Sequence, residues 1–119
     1  MRLTLLKSKL HGATVTGADL NYEGSIALGP ALRRLARLRE YERVEIYNCH
    51  NGARLATYVI ASDRDGEVAL NGAAARLVQP GDRVIIAAYA EFTPTEARRH
   101  RPAIILLDPQ NRGKKKPNS

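Results

Sequence analysis

The chain has a single cysteine, Cys49, among its 119 residues. One thiol excludes an internal disulfide, and nothing around it has the spacing of a zinc site. A reduced, intracellular protein is therefore expected, with the cytoplasm as its default location. Long apolar runs are also missing. The N-terminus, MRLTLLKSKLHG, has only a few apolar residues before Lys7 and Lys9, too few for a signal segment or a membrane span. There is no glycine-rich phosphate loop and no lysine context suited to external pyridoxal phosphate. Aromatic residues are few, five tyrosines and one phenylalanine, and they do not cluster into a platform for stacking bases.

What is present is enough apolar residue, 44%, to bury one core but hardly two, so one domain is expected. The net charge of +7 raises the alternative of a small basic barrel that binds nucleic acid through phosphate contacts. Its distribution argues against that reading. The excess gathers in RRLARLRE, EARRHRP and the tail RGKKKP, where solvated charge is the simpler account. Neither nucleic acid nor membrane is expected as a partner.

Periodicity gives the elements. Leu3 to Leu20 suits strands, with Gly12 and Gly17 as breaks. Gly29-Pro30 starts a helix that puts Leu32, Leu35, Ala36 and Leu38 on one face. RVEIYNC and ARLATYVIAS flank HNG, in which Asn51-Gly52 favours positive φ, so the pair reads as a hairpin. EVAL, the turn-like NGAAARLV, QPGDRVIIAAYAEF and RPAIILLD complete the chain. Short strands about ten residues apart, with one or two short helices, predict a mainly β fold, a small barrel.

Ser25 follows Gly24 in NYEGS. A glycine-serine pair usually only turns the chain. Glycine also leaves its carbonyl open to attack and reaches backbone conformations closed to other residues, which favours transfer of the acyl group from the serine nitrogen to its hydroxyl. Elsewhere, Arg54, Thr57 and Tyr58 lie within five residues in NGARLATY. Asn71, Gly72, Ala73 and Ala74 form a small-residue loop, and Lys9 and His11 alternate along one strand face. Taken singly, Arg54 and Lys9 read equally well as surface charge, and Tyr58 as a half-buried strand aromatic. A regular strand puts Arg54 and Tyr58 on one face and Thr57 on the other. Either a bulge or a site shared between subunits is needed to gather all three near residue 25.

KSKLHGATVTGADLNYEGS, NGARLATYVI and LNGAAARLVQPGDRVIIAAYA, in that order and spacing, resemble the pyruvoyl-dependent aspartate 1-decarboxylase family over residues 1–107. The resemblance implies a double-psi β-barrel, a homotetramer with active sites between subunits, and self-cleavage into a β chain, 1–24, and an α chain from 25. The precursor is then a zymogen, with an accessory maturation protein left open. Ser25 would become a covalent pyruvoyl group that forms a Schiff base with L-aspartate, giving β-alanine and CO2 for pantothenate synthesis. It assigns Gly24, Ser25, Thr57 and Asn71 to cleavage. Lys9, Arg54, Thr57, Gly72, Ala73 and Ala74 bind substrate, Arg54 as a bidentate fork. Tyr58 protonates Cα, since a phenol is protonated near neutrality. His11 and Tyr22 flank the site. Two other readings stand beside this one: the nucleic-acid barrel, and a chain with the family fold that never matures. Residues 108–119 are expected to be a basic, disordered tail without catalytic counterpart.

Overall fold

The computed structural model describes residues 1–114. Strand β1, Leu3–Thr14, buries Ser8 and Leu10 and leaves Lys9 and His11 on its other face, the alternation a half-buried strand requires. Gly12 does not break it. The glycine takes φ 82° where the register shifts between His11 and Ala13, so the strand bulges and runs on. Val15 and Thr16 then link β1 to β2, Gly17–Asp19.

That short link closes the fold. With β3 Ser25–Leu28, β4 Arg43–Asn48, β5 Arg54–Ala61, β6 Val68–Asn71, β7 Arg83–Phe92 and β8 Ala103–Leu106, the strand order is β2-β6-β3-β5-β4-β7-β1-β8. β1 and β2 stand near opposite ends of this order, so two residues between them force the sheet to curl on itself. The result is the expected mainly β fold, a small barrel with short helices. Leu10, Ile26, Leu28, Ile46, Leu70 and Ile86, each no more than 1% exposed, fill its centre. Ile46→Ala, which empties a position with no solvent access, is expected to cost about 2–5 kcal/mol in chemical denaturation. A loss well under 1 kcal/mol would mean that β4 does not carry the core.

The expected β4–β5 hairpin is present, its register running from Arg43 opposite Tyr58 to Tyr47 opposite Arg54. Helix α1, Pro30–Ala36, begins at the predicted proline and buries Leu32 and Ala36. It ends early. Arg37 turns left-handed at φ 57° and Leu38 N donates to Arg33 O, which puts Leu38 in the core and leaves Leu35 40% exposed. Helix α2, Pro94–Arg99, carries a capping box between Thr93 and Glu96, a signal legible in TPTE.

The expected tail needs a correction over its first part. Residues 108–114 return to the barrel: Lys114 N donates to Leu106 O, and Asn111 is 4% exposed. The Asn111 amide donates to Thr14 O and Gly66 O, at 2.8 Å each, and accepts from Thr14 N at 2.7 Å. One buried amide with three backbone partners holds this segment. The remainder, 115–119, lies outside the described residues.

Candidate active site

Ser25 opens β3, where it is 2% exposed and pairs with Asn71 of β6. Its Oγ accepts a hydrogen bond from Asn71 Nδ2 at 3.2 Å and donates to Glu23 O at 3.3 Å. The sheet thus fixes both hydroxyl and amide. After Asn71 the chain enters a 310 turn, Gly72–Leu77, with Gly72 at φ 65°. A Cβ on Gly72 would lie 2.6 Å from Gly24 N, 2.7 Å from Gly24 Cα and 2.9 Å from Tyr22 O. Only glycine lets the two backbones meet there. Gly24 itself is exposed, so the Gly24–Ser25 bond passes from open loop into buried strand.

β5 runs past this bond without a bulge. Its register against β4 is continuous, and burial alternates from Arg54, exposed, to Val59, buried. Of the two arrangements expected to gather Arg54, Thr57 and Tyr58, the bulge is therefore absent. Thr57 instead lines a cavity of about 220 Å³ with Gly24, Ala73, Ala74, Leu55 and Leu77. β3 pairs with β5 through Ile26 opposite Val59, and one residue earlier on the two strands stand Ser25 and Tyr58. The Gly24–Ser25 bond lies at the start of β3, with Thr57 bordering Gly24 and Tyr58 on the strand face of Ser25.

That second face extends across the sheet. His11, Ile85, Tyr47 and Arg54 form one row, and Lys9, Ala87, Glu45 and Ala56 the next. Lys9 and His11 thus share a face with Arg54, but three strands separate β1 from β3, so one chain does not bring them to Ser25. Tyr22, 64% exposed, borders a separate cavity of about 350 Å³ together with Asn71, Asp63 and Glu67.

Tyr47, which the sequence reading did not single out, packs against Arg54. The Arg54 guanidinium sits 4.2 Å from its ring centroid, a cation–π contact that orients the fork. The Tyr47 hydroxyl donates to Glu45 at 2.7 Å and lies 3.0 Å from the Tyr89 hydroxyl. Burial, then the bonds with Tyr89 and Glu45, push this phenol above its ordinary range. The β4–β5 pairing places Tyr47 opposite Arg54, and the hairpin read from the sequence was the available signal. Glu23, whose carbonyl receives the Ser25 hydroxyl, left no such signal, because any residue type supplies that oxygen.

A small mainly β barrel with a glycine-serine bond held against a glycine turn is the class of protein defined by this geometry. Residues 1–114 match the family model described as aspartate decarboxylase. A protein of Bdellovibrio bacteriovorus named aspartate 1-decarboxylase is 52% identical over 112 residues, covering 94% of this chain and 90% of that one. Proteins with the same name from Clostridium beijerinckii, 53% identical, and Campylobacter jejuni, 49% identical, match 93% of this chain and 90% and 88% of their own lengths. The chain belongs to the aspartate decarboxylase family. Among the described residues no helix is long and apolar enough to cross a membrane.

Proposed function

We propose that the chain cuts itself between Gly24 and Ser25 and then converts L-aspartate to β-alanine and CO2, the reaction that supplies β-alanine for pantothenate synthesis. Family membership supports the activity. The observation that carries the self-cleavage is the Ser25 hydroxyl held by Asn71 beside a backbone contact that only Gly72 permits.

Ser25 Oγ attacks the Gly24 carbonyl carbon through a five-membered ring, and its proton passes to the departing Ser25 nitrogen. The adjacent Glu23 carbonyl and Asn71 amide orient the hydroxyl for this step. Negative charge gathers on the Gly24 oxygen, and Thr57, on the cavity wall beside Gly24, is the proposed donor to it. The product is an ester of Gly24 on the Ser25 side chain. Loss of the Ser25 Cα proton expels the Gly24 carboxylate and leaves dehydroalanine at residue 25. Water adds after tautomerisation and ammonia departs, so residue 25 ends as a pyruvoyl group. The residues present fit that group: the new α-keto amide would begin β3, next to Asn71 and Gly72. Its ketone would condense with the substrate amine and draw off the electrons released when the carboxylate leaves Cα.

The remaining roles belong to the outer sheet face. Arg54, backed by Tyr47, holds the carboxylate that stays. Tyr58, 37% exposed on the strand face of Ser25, donates the proton to Cα. Lys9 adds positive charge for the dianionic substrate, with His11 beside it. A homotetramer with sites between neighbouring subunits would bring Lys9 of one copy to residue 25 of another; the three strands that separate β1 from β3 within one chain support this reading. Arg54→Ala is expected to cleave normally and to raise KM for aspartate about tenfold to a hundredfold, the loss of a charged hydrogen-bonded contact. An unchanged KM removes Arg54 from the site.

The test of the activity is amino-acid analysis of aspartate incubated with fully cut protein. The expected outcome is β-alanine in equal amount to CO2; cut, folded protein that forms none contradicts the assignment.

A further inference from the structure

We infer that Asn48 is a positioning residue for self-cleavage, which fixes the Gly72–Leu77 turn on the Gly24–Ser25 bond from its far end; this rests on the self-cleavage proposed above. Asn48 ends β4 and is 2% exposed. An asparagine amide has two N–H donors, and both are used. One goes to Leu77 O at 3.0 Å, the last residue of the turn, and the other to Asp82 Oδ2 at 2.9 Å. Its Oδ1 accepts from His50 N at 2.9 Å, so the hairpin loop is tied to the same side chain.

The turn has two anchored ends. At the first, Asn71 bonds Ser25 Oγ and Gly72 lies on Gly24. At the other, Leu77 O is held by Asn48 and, at 3.2 Å, by the exposed Asn51 amide. Between them Ala73, Ala74 and Leu77 line the cavity that Gly24 and Thr57 share. Asp82 Oδ2 also accepts from Gln79 N at 3.0 Å, which closes the chain just after the turn. The Asn48 amide, then the Gln79 N–H, hold the Asp82 carboxyl below its ordinary range, so it is an ionised acceptor near neutral pH. Asn48 is thus a buried side chain whose hydrogen bonds join the β4–β5 hairpin, which carries Thr57, to the turn that carries Ala73 and Ala74. A displacement of about 1 Å in reacting groups costs on the order of a hundredfold in rate. Loss of this tie therefore reaches the bond through the turn, although Asn48 touches neither Gly24 nor Ser25.

The test follows cleavage of freshly refolded full-length chain by mass spectrometry, per folded molecule and relative to wild type at each pH. Asn48→Asp keeps the side-chain volume but sets a carboxylate against Asp82. His50 and Arg76, which line the cleft beside Asp82, are the other ionisable groups facing this pair. Near pH 8 cleavage is expected to fall about tenfold or more. As the pH drops toward 5 the relative rate is expected to recover, because two carboxylates at this distance share a proton and a donor returns. Asn48→Ala, with no donor at any pH, is expected to stay slow throughout. A wild-type rate for Asn48→Asp at pH 8, or a deficit that does not change with pH, overturns the inference. Should Asn48→Ala not fold, the isosteric variant alone decides it. Wild-type chain that stays uncut both after refolding and when isolated from the cells that produce active enzyme refutes the self-cleavage reading instead.

Discussion

Ser25→Ala is expected to remain a single uncut chain of about the full 13.1 kDa and to release no CO2 from aspartate. The change removes one oxygen from a residue that is 2% exposed, so it opens little space and leaves the β3–β6 pairing intact. The fold should survive. The chemistry should not, since no other side chain on β3 carries a hydroxyl and the Gly24 carbonyl then has no internal nucleophile. Without cleavage no ketone arises at residue 25, and the loss of activity is complete rather than partial. Melting temperature, intact mass and β-alanine formation measured on one preparation check all three points. Activity retained by this variant would refute the mechanism.

Gly72→Ala is the second large effect, and its cause is steric. The new Cβ would come within 2.6–2.9 Å of three backbone atoms, two in Gly24 and one in Tyr22, none of which can swing aside as a side-chain tip can. The left-handed φ of 65° adds strain of about 1–2 kcal/mol. Relief requires the turn to back away from Gly24, which separates Asn71 from Ser25 and widens the cavity. Cleavage is expected to slow by about a hundredfold or more. Gly81→Ala is the matched control: Gly81 also has positive φ, 95°, but nothing lies within 4 Å of its Cβ position. That variant should lose some stability and cut at the normal rate. Equal cutting rates for the two variants would show that close approach at Gly72 is not what aligns the bond.

The sequence made the hairpin legible because alternation and Asn51-Gly52 agree, and it marked Ser25, Arg54, Thr57 and Tyr58 through motifs. The division of Arg54 and Tyr58 from Thr57 between two faces of β5 followed from strand period alone, and the structure keeps that division. Other features depend on contacts distant in sequence. Gly12 reads as a break, yet pairing with β7 carries β1 through it as a bulge. Asn111 looks like part of a polar tail, but its carbonyl and amide find Thr14, 97 positions away. Asn48 gives no local signal either, since both its acceptors, Leu77 and Asp82, lie beyond β5 and β6.

Denaturing mass spectrometry of fully active protein tests the central claim most directly. Two fragments are expected, one ending at Gly24 and one beginning at residue 25 with a ketone where the serine amine stood. Full decarboxylase activity in a chain that is intact, or whose second fragment starts with ordinary serine, would contradict it.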